Sequence, residues 1–424
     1  MRKLTSLTLV FVLVVCALPQ LCSGYSVLTH EEIVDLVWSD EIRPLLLQRY
    51  PGTTNDELRK AHAYAYGGCL VQDMGYYPFG NKYFSDLVHY VRSGDFVVNL
   101  LNEAQDINEY AFALGALAHY TSDVAGHPAV NRSVADEFPK LKAKYGPEVT
   151  YEDNPKAHIQ TEFGFDVVQV AKQRYTSDAY HDFIGFEVSK PVLERAFLKT
   201  YGLELRDIFG DVDQTIGSFR RAVSKIIPEM TKVALATHKV ELVKENPNFN
   251  KKKFLYNLSK AQYQRDFGNN YQKPGVGTRI LAFFMRIVPK VGPFKGLAIK
   301  TPDAKTEDLY LKSVNNTVDQ YKIYLGQMRA PDGLRLDNRD LDTGKPTKAG
   351  EYKLTDDAYA KLLDKLAEKK FASVDPTIQA DILAFFSDPN AAKNLVKKPK
   401  DWEKTEKELA ELKAQPQQGT DFLK

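Results

Sequence analysis

The sequence predicts an all-α protein. Apolar residues recur at helical spacing along most of the 424-residue chain, strand-like alternation is rare, and clusters of turn residues separate the periodic stretches. No internal repeat is visible. Residues 1–24, "MRKLTSLTLVFVLVVCALPQLCSG", have a basic start at Arg2 and Lys3 and an apolar core over 4–18. Cys22 and Gly24 are small residues at a cleavage position. This reads as a secretory signal peptide, removed after Gly24 to leave Tyr25 as the amino terminus.

Thr29 with Glu32 three residues on predicts a capping box that opens a helix through "EEIVDLVWSDEIRPLLLQRY". Helical periodicity returns at about 55–66, 83–93, 106–126, 157–175, 189–200 and 211–243, with "PGTTND", "YYPFGN" and "KYGPEVTYEDNP" as loops. Composition shifts at 244–278 to "KENPNFNKKKF" and "NNYQKPGVGTR", a boundary or hinge. Residues 279–299 mix apolar runs with Arg279, Arg286, Lys290 and Lys295, and read as packed on the core rather than lying in a membrane interface. From 305 onward the chain is helical and Lys-rich, a solvated extension. The expected organisation is a signal peptide (1–24), a main domain (25–245), a hinge segment (246–300) and a charged helical carboxyl-terminal region (301–424).

Composition narrows the function. Beyond the signal peptide one cysteine remains, Cys69, so no internal disulfide can form, and a chain this long can bury its core without one. Loss of Arg2 and Lys3 takes the formal charge from +2 to 0, which gives no general field for nucleic acid or anionic lipid. No later stretch is long and uncharged enough to span a bilayer.

The chemistry concentrates in a few places. In "LAHYTSDVAGHPAV" His119 and Asp123 lie four apart, on one helical stripe with Phe112, Gly115 and Ala116. Pro128 disfavours helical geometry at His127, so a helix end near Gly126 is expected, with His127 turning off the stripe. "HIQTEF" sets His158 and Glu162 four apart, Asp73 precedes a Gly/Tyr/Pro turn, His89 sits on the following helix, and His30 falls in the first helical turn. Only 8 histidines occur in the chain, and five of them fall in this set. Nitrogen and carboxylate donors without thiolate suit a catalytic zinc site, and their number suits several ions with Asp123 as a bridge. Such a cluster can clamp a phosphate and bring the pKa of a bound water into the neutral range. His62, His181 and His238 lack a matching carboxylate and read as ordinary histidines. Cys69 beside Gly67 and Gly68 reads as a packed small residue, and Tyr76, Tyr77 and Phe79 as loop packing.

The ordered set Tyr25, His30, Asp73, His89, His119, Asp123, His127, His158 and Glu162 resembles the zinc-dependent phospholipase C family. That family comprises secreted bacterial trinuclear-zinc enzymes, and its core is similar to the catalytic domain of glycosylphosphatidylinositol-specific phospholipase D. The resemblance implies an all-α, multi-helix fold shared with P1-type nucleases, and up to three zinc ions. One ion would be held by Asp73, His89, His119 and Asp123. A second would use the Tyr25 amino nitrogen and carbonyl oxygen, His30 and Asp123. The third would take His127, His158 and Glu162. Asp73 would orient or deprotonate the attacking water. The bacterial enzymes begin with Trp where this chain has Tyr25; the ligands there are backbone atoms, so cleavage after Gly24 is what matters. The spacing from Asp123 to His127 is that of the phospholipase D version, and no lipid-binding β-sandwich follows.

Three readings are weighed. The first is a secreted zinc-dependent phosphodiesterase cleaving phospholipid head groups, with phospholipid and a membrane surface as partners. The second is a single-strand nuclease of the same fold, which needs a base-stacking groove that the neutral charge does not favour. The third is a binding protein that retains the metal core. No nucleic-acid partner is expected, and the lipid, C- or D-type cleavage and the oligomeric state are not legible.

Overall fold

The structure is a computed structural model that describes residues 26–172, 184–227, 231, 299–330, 333–391 and 399–415. The segment predicted as a signal peptide, Tyr25, His181, His238 and nearly all of the 246–300 segment lie outside the described residues. Among the described residues every regular element is helical, and an isolated bridge joins Arg339 to Pro346. The predicted all-α class is the observed one.

The chain opens with α1 (Val27–Val37), a wider turn at Trp38–Ile42, α2 (Arg43–Arg49) and α3 (Asn55–Gly68). A tight 3-10 turn at Val71–Tyr76 leads to α4 (Lys82–Tyr90), α5 (Ser93–Glu103) and the long α6 (Ile107–Glu137). Then come α7 (Pro139–Tyr145), α8 (Pro155–Ala171), α9 (Lys190–Tyr201) and α10 (Val212–Arg221). The carboxyl-terminal part contributes α11 (Ala304–Gln327), α12 (Lys353–Glu368), α13 (Pro376–Ser387) and α14 (Pro399–Lys413). No described helix is long and apolar enough to cross a membrane.

Local chemistry explains most starts. Thr54 and Glu57 form a reciprocal capping box on α3, with the Glu57 amide donating to the Thr54 hydroxyl and the Thr54 amide to the Glu57 carboxylate at 2.8 Å. Asp106 caps α6 by accepting from the Asn108 and Glu109 amides at 2.8 and 2.9 Å. The box predicted at Thr29 and Glu32 does not form. Helix α1 starts at Val27, and the Leu28 and Thr29 amides donate instead to the Asp166 carboxylate of α8 at 2.9 and 3.1 Å. The Thr29 hydroxyl joins them at 2.6 Å. A buried, distant carboxylate satisfies the open helix end better than a neutral hydroxyl nearby.

The end expected at Gly126 is also corrected: α6 continues through Pro128 to Glu137. An interior proline costs about 3 kcal/mol. Burying Val130 and Val134 completely, each worth about 1.5–3 kcal/mol, outweighs it, with Ala129 and Ala135 adding more. His127 therefore stays on the helix. Small residues bring α3 against α6. A Cβ on Gly115 would stand 2.0 Å from the Ala65 carbonyl oxygen, and one on Gly68 would stand 1.9 Å from that of Phe112.

The carboxyl-terminal helices do not stand apart as a solvated extension. Tyr310, Val314, Val318, Tyr321 and Leu325 of α11 are buried in the same core as α6, and the Tyr321 hydroxyl donates to the Leu114 carbonyl at 2.8 Å. Tyr310 stacks on Phe165 of α8 with centroids 4.5 Å apart.

Candidate metal centre

Four helices and one tight turn bring the donors together. His30 comes from the first turn of α1, Asp73 from the turn after α3, and His89 from the end of α4. His119, Asp123 and His127 descend one stripe of α6, and His158 and Glu162 one stripe of α8. All eight side chains are at most 3% exposed. Their donor atoms form three groups, each within 4.8 Å: His30, His119 and Asp123; Asp73, His89 and His119; His127, His158 and Glu162. The ninth expected ligand, Tyr25, lies outside the described residues.

The spacing of these atoms fits cations. Four donors at about 2.0–2.1 Å around a tetrahedral zinc stand about 3.3 Å from one another. His119 Nε2 lies 3.1 Å from Asp123 Oδ2, and His30 Nε2 lies 3.6 Å from Asp123 Oδ1. His89 Nε2 lies 3.5 Å from both Asp73 Oδ1 and Asp123 Oδ2. In the third group His127 Nε2 is 3.8 Å from Glu162 Oε1, whereas His158 Nδ1, at 2.7 Å, stands closer to that oxygen than two ligands of one zinc ion would. Neither oxygen of Asp73 or Asp123, nor Glu162 Oε1, takes part in a hydrogen bond, and the same holds for His119 Nε2, His127 Nε2 and His158 Nδ1. Buried carboxylates that face each other across lone pairs cost several kcal/mol each unless a cation joins them. The residues present therefore fit zinc.

The opposite ring nitrogens of His89, His119, His127 and His158 are occupied. His89 Nδ1 donates to the Ser85 carbonyl at 2.8 Å, His119 Nδ1 to the Cys69 carbonyl at 2.9 Å, and His127 Nδ1 to the Leu341 carbonyl. His158 Nε2 donates to Asn131 Oδ1 at 2.9 Å. A proton fixed on one nitrogen aims the other's lone pair into the cavity, as metal-binding histidines require. Cys69 is packed, as its small size suggested, and its backbone carbonyl also orients His119.

Electrostatics follow the charge crowding. Burial pulls His89 and His119 down, but the Asp123 and Asp73 carboxylates outweigh it and hold His89 well above the ordinary imidazole range and His119 above it. Burial would raise Asp123, yet the facing His119 and His127 hold it well below the usual carboxylate range. Burial takes His158 down to about 4 and pushes Glu162 well up. Burial, then the His119 ring stacked at 4.3 Å, takes His30 well below its usual value.

Residues outside the groups also have plain roles. His62 is a satisfied core histidine: its Nε2 lies 2.8 Å from Asp35 Oδ1 and its ring stacks on Trp38. Tyr77 is buried against Phe219, Tyr76 has its ring centroid 6.2 Å from that of His89, and Phe79 is 65% exposed. Sequence reasoning missed Asn131, Leu341 and Asp342. Asn131 stands one turn beyond His127 on α6, a spacing that could have pointed to it.

Residues 29–210 match the family described as zinc dependent phospholipase C. Every described donor of the three groups falls inside the match. No curated protein and no solved structure matches the chain.

Proposed function

We propose that the protein is a secreted zinc-dependent phosphodiesterase that hydrolyses phospholipid head groups on the glycerol side, as a phospholipase C. The observation that carries this reading is the convergence of eight buried donors from five elements, with their lone pairs and carboxylates turned inward. The family match over 29–210 supports the same class.

Asp73, His89, His119 and Asp123 would hold one ion, His30 and Asp123 a second with the Tyr25 amino terminus, and His127, His158 and Glu162 a third. Bound zinc supplies charge for the phosphate and lowers the pKa of a water. With one oxygen toward the ion, Asp73 would orient a water with the other and take its proton, since that oxygen makes no hydrogen bond. The water oxygen would bond to phosphorus as the bond from phosphorus to the glycerol oxygen breaks, and the proton taken by Asp73 would pass to that leaving oxygen. His30 and Asp123 at the centre exclude bulk water by their burial. The partners on this reading are a phospholipid and the membrane surface that presents it, not nucleic acid. Delivery of Tyr25 follows from secretion and cleavage after Gly24.

Purified mature protein should release phosphocholine from phosphatidylcholine and lose this on chelation. Asp73→Asn should lower the rate about 100-fold or more. Hydrolysis that persists after chelation, or faster cleavage of single-stranded DNA in a parallel assay, would overturn the proposal.

A further inference from the structure

We infer that the loop 337–347, more than 120 residues beyond the family match, completes the third donor group, with Asp342 as its positioning residue. The inference rests on the zinc reading of the site. Asn131, inside the match, holds His158, whereas the Leu341 carbonyl that holds His127 lies outside it.

Two connections reach them from the loop. The Leu341 carbonyl accepts the His127 Nδ1 proton, and Asp342 Oδ1 stands 3.8 Å from the same nitrogen. The Asp342 carbonyl accepts from Asn131 Nδ2 at 2.9 Å, and Asn131 Oδ1 in turn accepts from His158 Nε2 at 2.9 Å. A third connection ties the loop to the neighbouring group, where the Leu341 amide donates to the His89 carbonyl at 3.1 Å. The loop is itself fixed. Tyr90 and Tyr352 both donate to Asp342 Oδ2, at 2.8 and 2.6 Å. The Gly344 amide donates to the Asp340 carbonyl at 2.8 Å, and Thr355 donates to Asp340 Oδ2 at 3.0 Å. Gly344 has φ +70°, and a Cβ there would stand 2.5 Å from the Val124 carbonyl oxygen. Pro128 has no amide hydrogen to offer that carbonyl, and α6 accepts the loop at this point. A carboxylate and a carbonyl grouped on the protonated side of a ligand histidine strengthen its other nitrogen as a donor.

The test titrates full-length, mature, metal-free protein with zinc against a chromophoric chelator, which reads affinity without any substrate. Asp342→Asn keeps the size and removes the charge. It should weaken one class of zinc site about 10–100-fold and leave the others unchanged. Tyr352→Phe removes one of the two hydroxyls that hold Asp342 and should produce a smaller loss in the same class, which keeps the inference open to test if Asp342→Asn does not fold. Wild-type affinity in both variants, or equal weakening of every site, would show that the loop only packs. A wild-type protein that binds no zinc would sink the metal reading itself and this inference with it.

Discussion

Glu137, at the end of α6, shows how one buried carboxyl sets a pH dependence. Burial raises it from an ordinary 4.5 to about 7, partly opposed by the Thr161 hydroxyl, which donates to Oε2 at 2.9 Å. Because its folded-state pKa is the higher one, the folded protein holds a proton between pH 4.5 and 7 that the unfolded chain has released. Stability therefore falls as pH rises through that window, by about 3 kcal/mol for this group. Glu137→Gln should remove the dependence and raise the denaturation midpoint at pH 8 relative to pH 5, compared with wild type. An unchanged difference between the two pH values would refute the assignment. At this scale the sequence was informative about which side chains meet in the donor groups and silent about what orients them. His119 with Asp123, and His158 with Glu162, are legible because helical spacing puts each pair on one face. The carbonyls of Ser85, Cys69 and Leu341 are not, because every residue carries a carbonyl and only the fold decides which one meets an imidazole.

Helices were legible where their own residues cap and line them, and less so where distant residues decide. Helix α3 begins at Asn55, where the periodicity placed it, and is capped locally by Thr54 and Glu57, whereas α1 takes its cap from Asp166, far along the chain. Helix α6 outruns its expected end because the cost of Pro128 is smaller than the burial beyond it. The small-residue stripe was legible and has a measurable consequence. Gly115→Ala would place a methyl 2.0 Å from the Ala65 carbonyl oxygen, so α3 must move away from α6. The expected cost is about 1–3 kcal/mol or more. Helix α3 leads into the turn that carries Asp73, so zinc affinity should fall with it. Gly217→Ala in α10 has nothing within 4 Å and should instead stabilise by about 0.5–1 kcal/mol, through helix propensity alone. Equal effects from the two substitutions, read by chemical denaturation, would argue against a backbone contact at Gly115.

The whole molecule links an amino-terminal segment, a central helix and a carboxyl-terminal loop through one buried set of donors. His30 enters on α1, Asp166 of α8 holds that helix start, and Thr29 also meets the Tyr310 hydroxyl of α11 at 2.7 Å. The loop 337–347 bonds the backbone of His89 through the Leu341 amide. Composition cannot show this, since the Lys-rich surface of the carboxyl-terminal helices hides the faces buried against α6. Ions that bind only the folded state add stability by mass action, about 4 kcal/mol when free zinc is a thousand times the dissociation constant. That stabilisation should spread wherever the ligands are tied. Hydrogen exchange on adding zinc to metal-free protein should slow in α6 and α8, and also at the amides of Leu341 and Gly344. Protection confined to residues 26–210 would mean that the carboxyl-terminal part only covers the family domain. Matched protection at Leu341 would mean that ion binding and carboxyl-terminal docking stabilise each other.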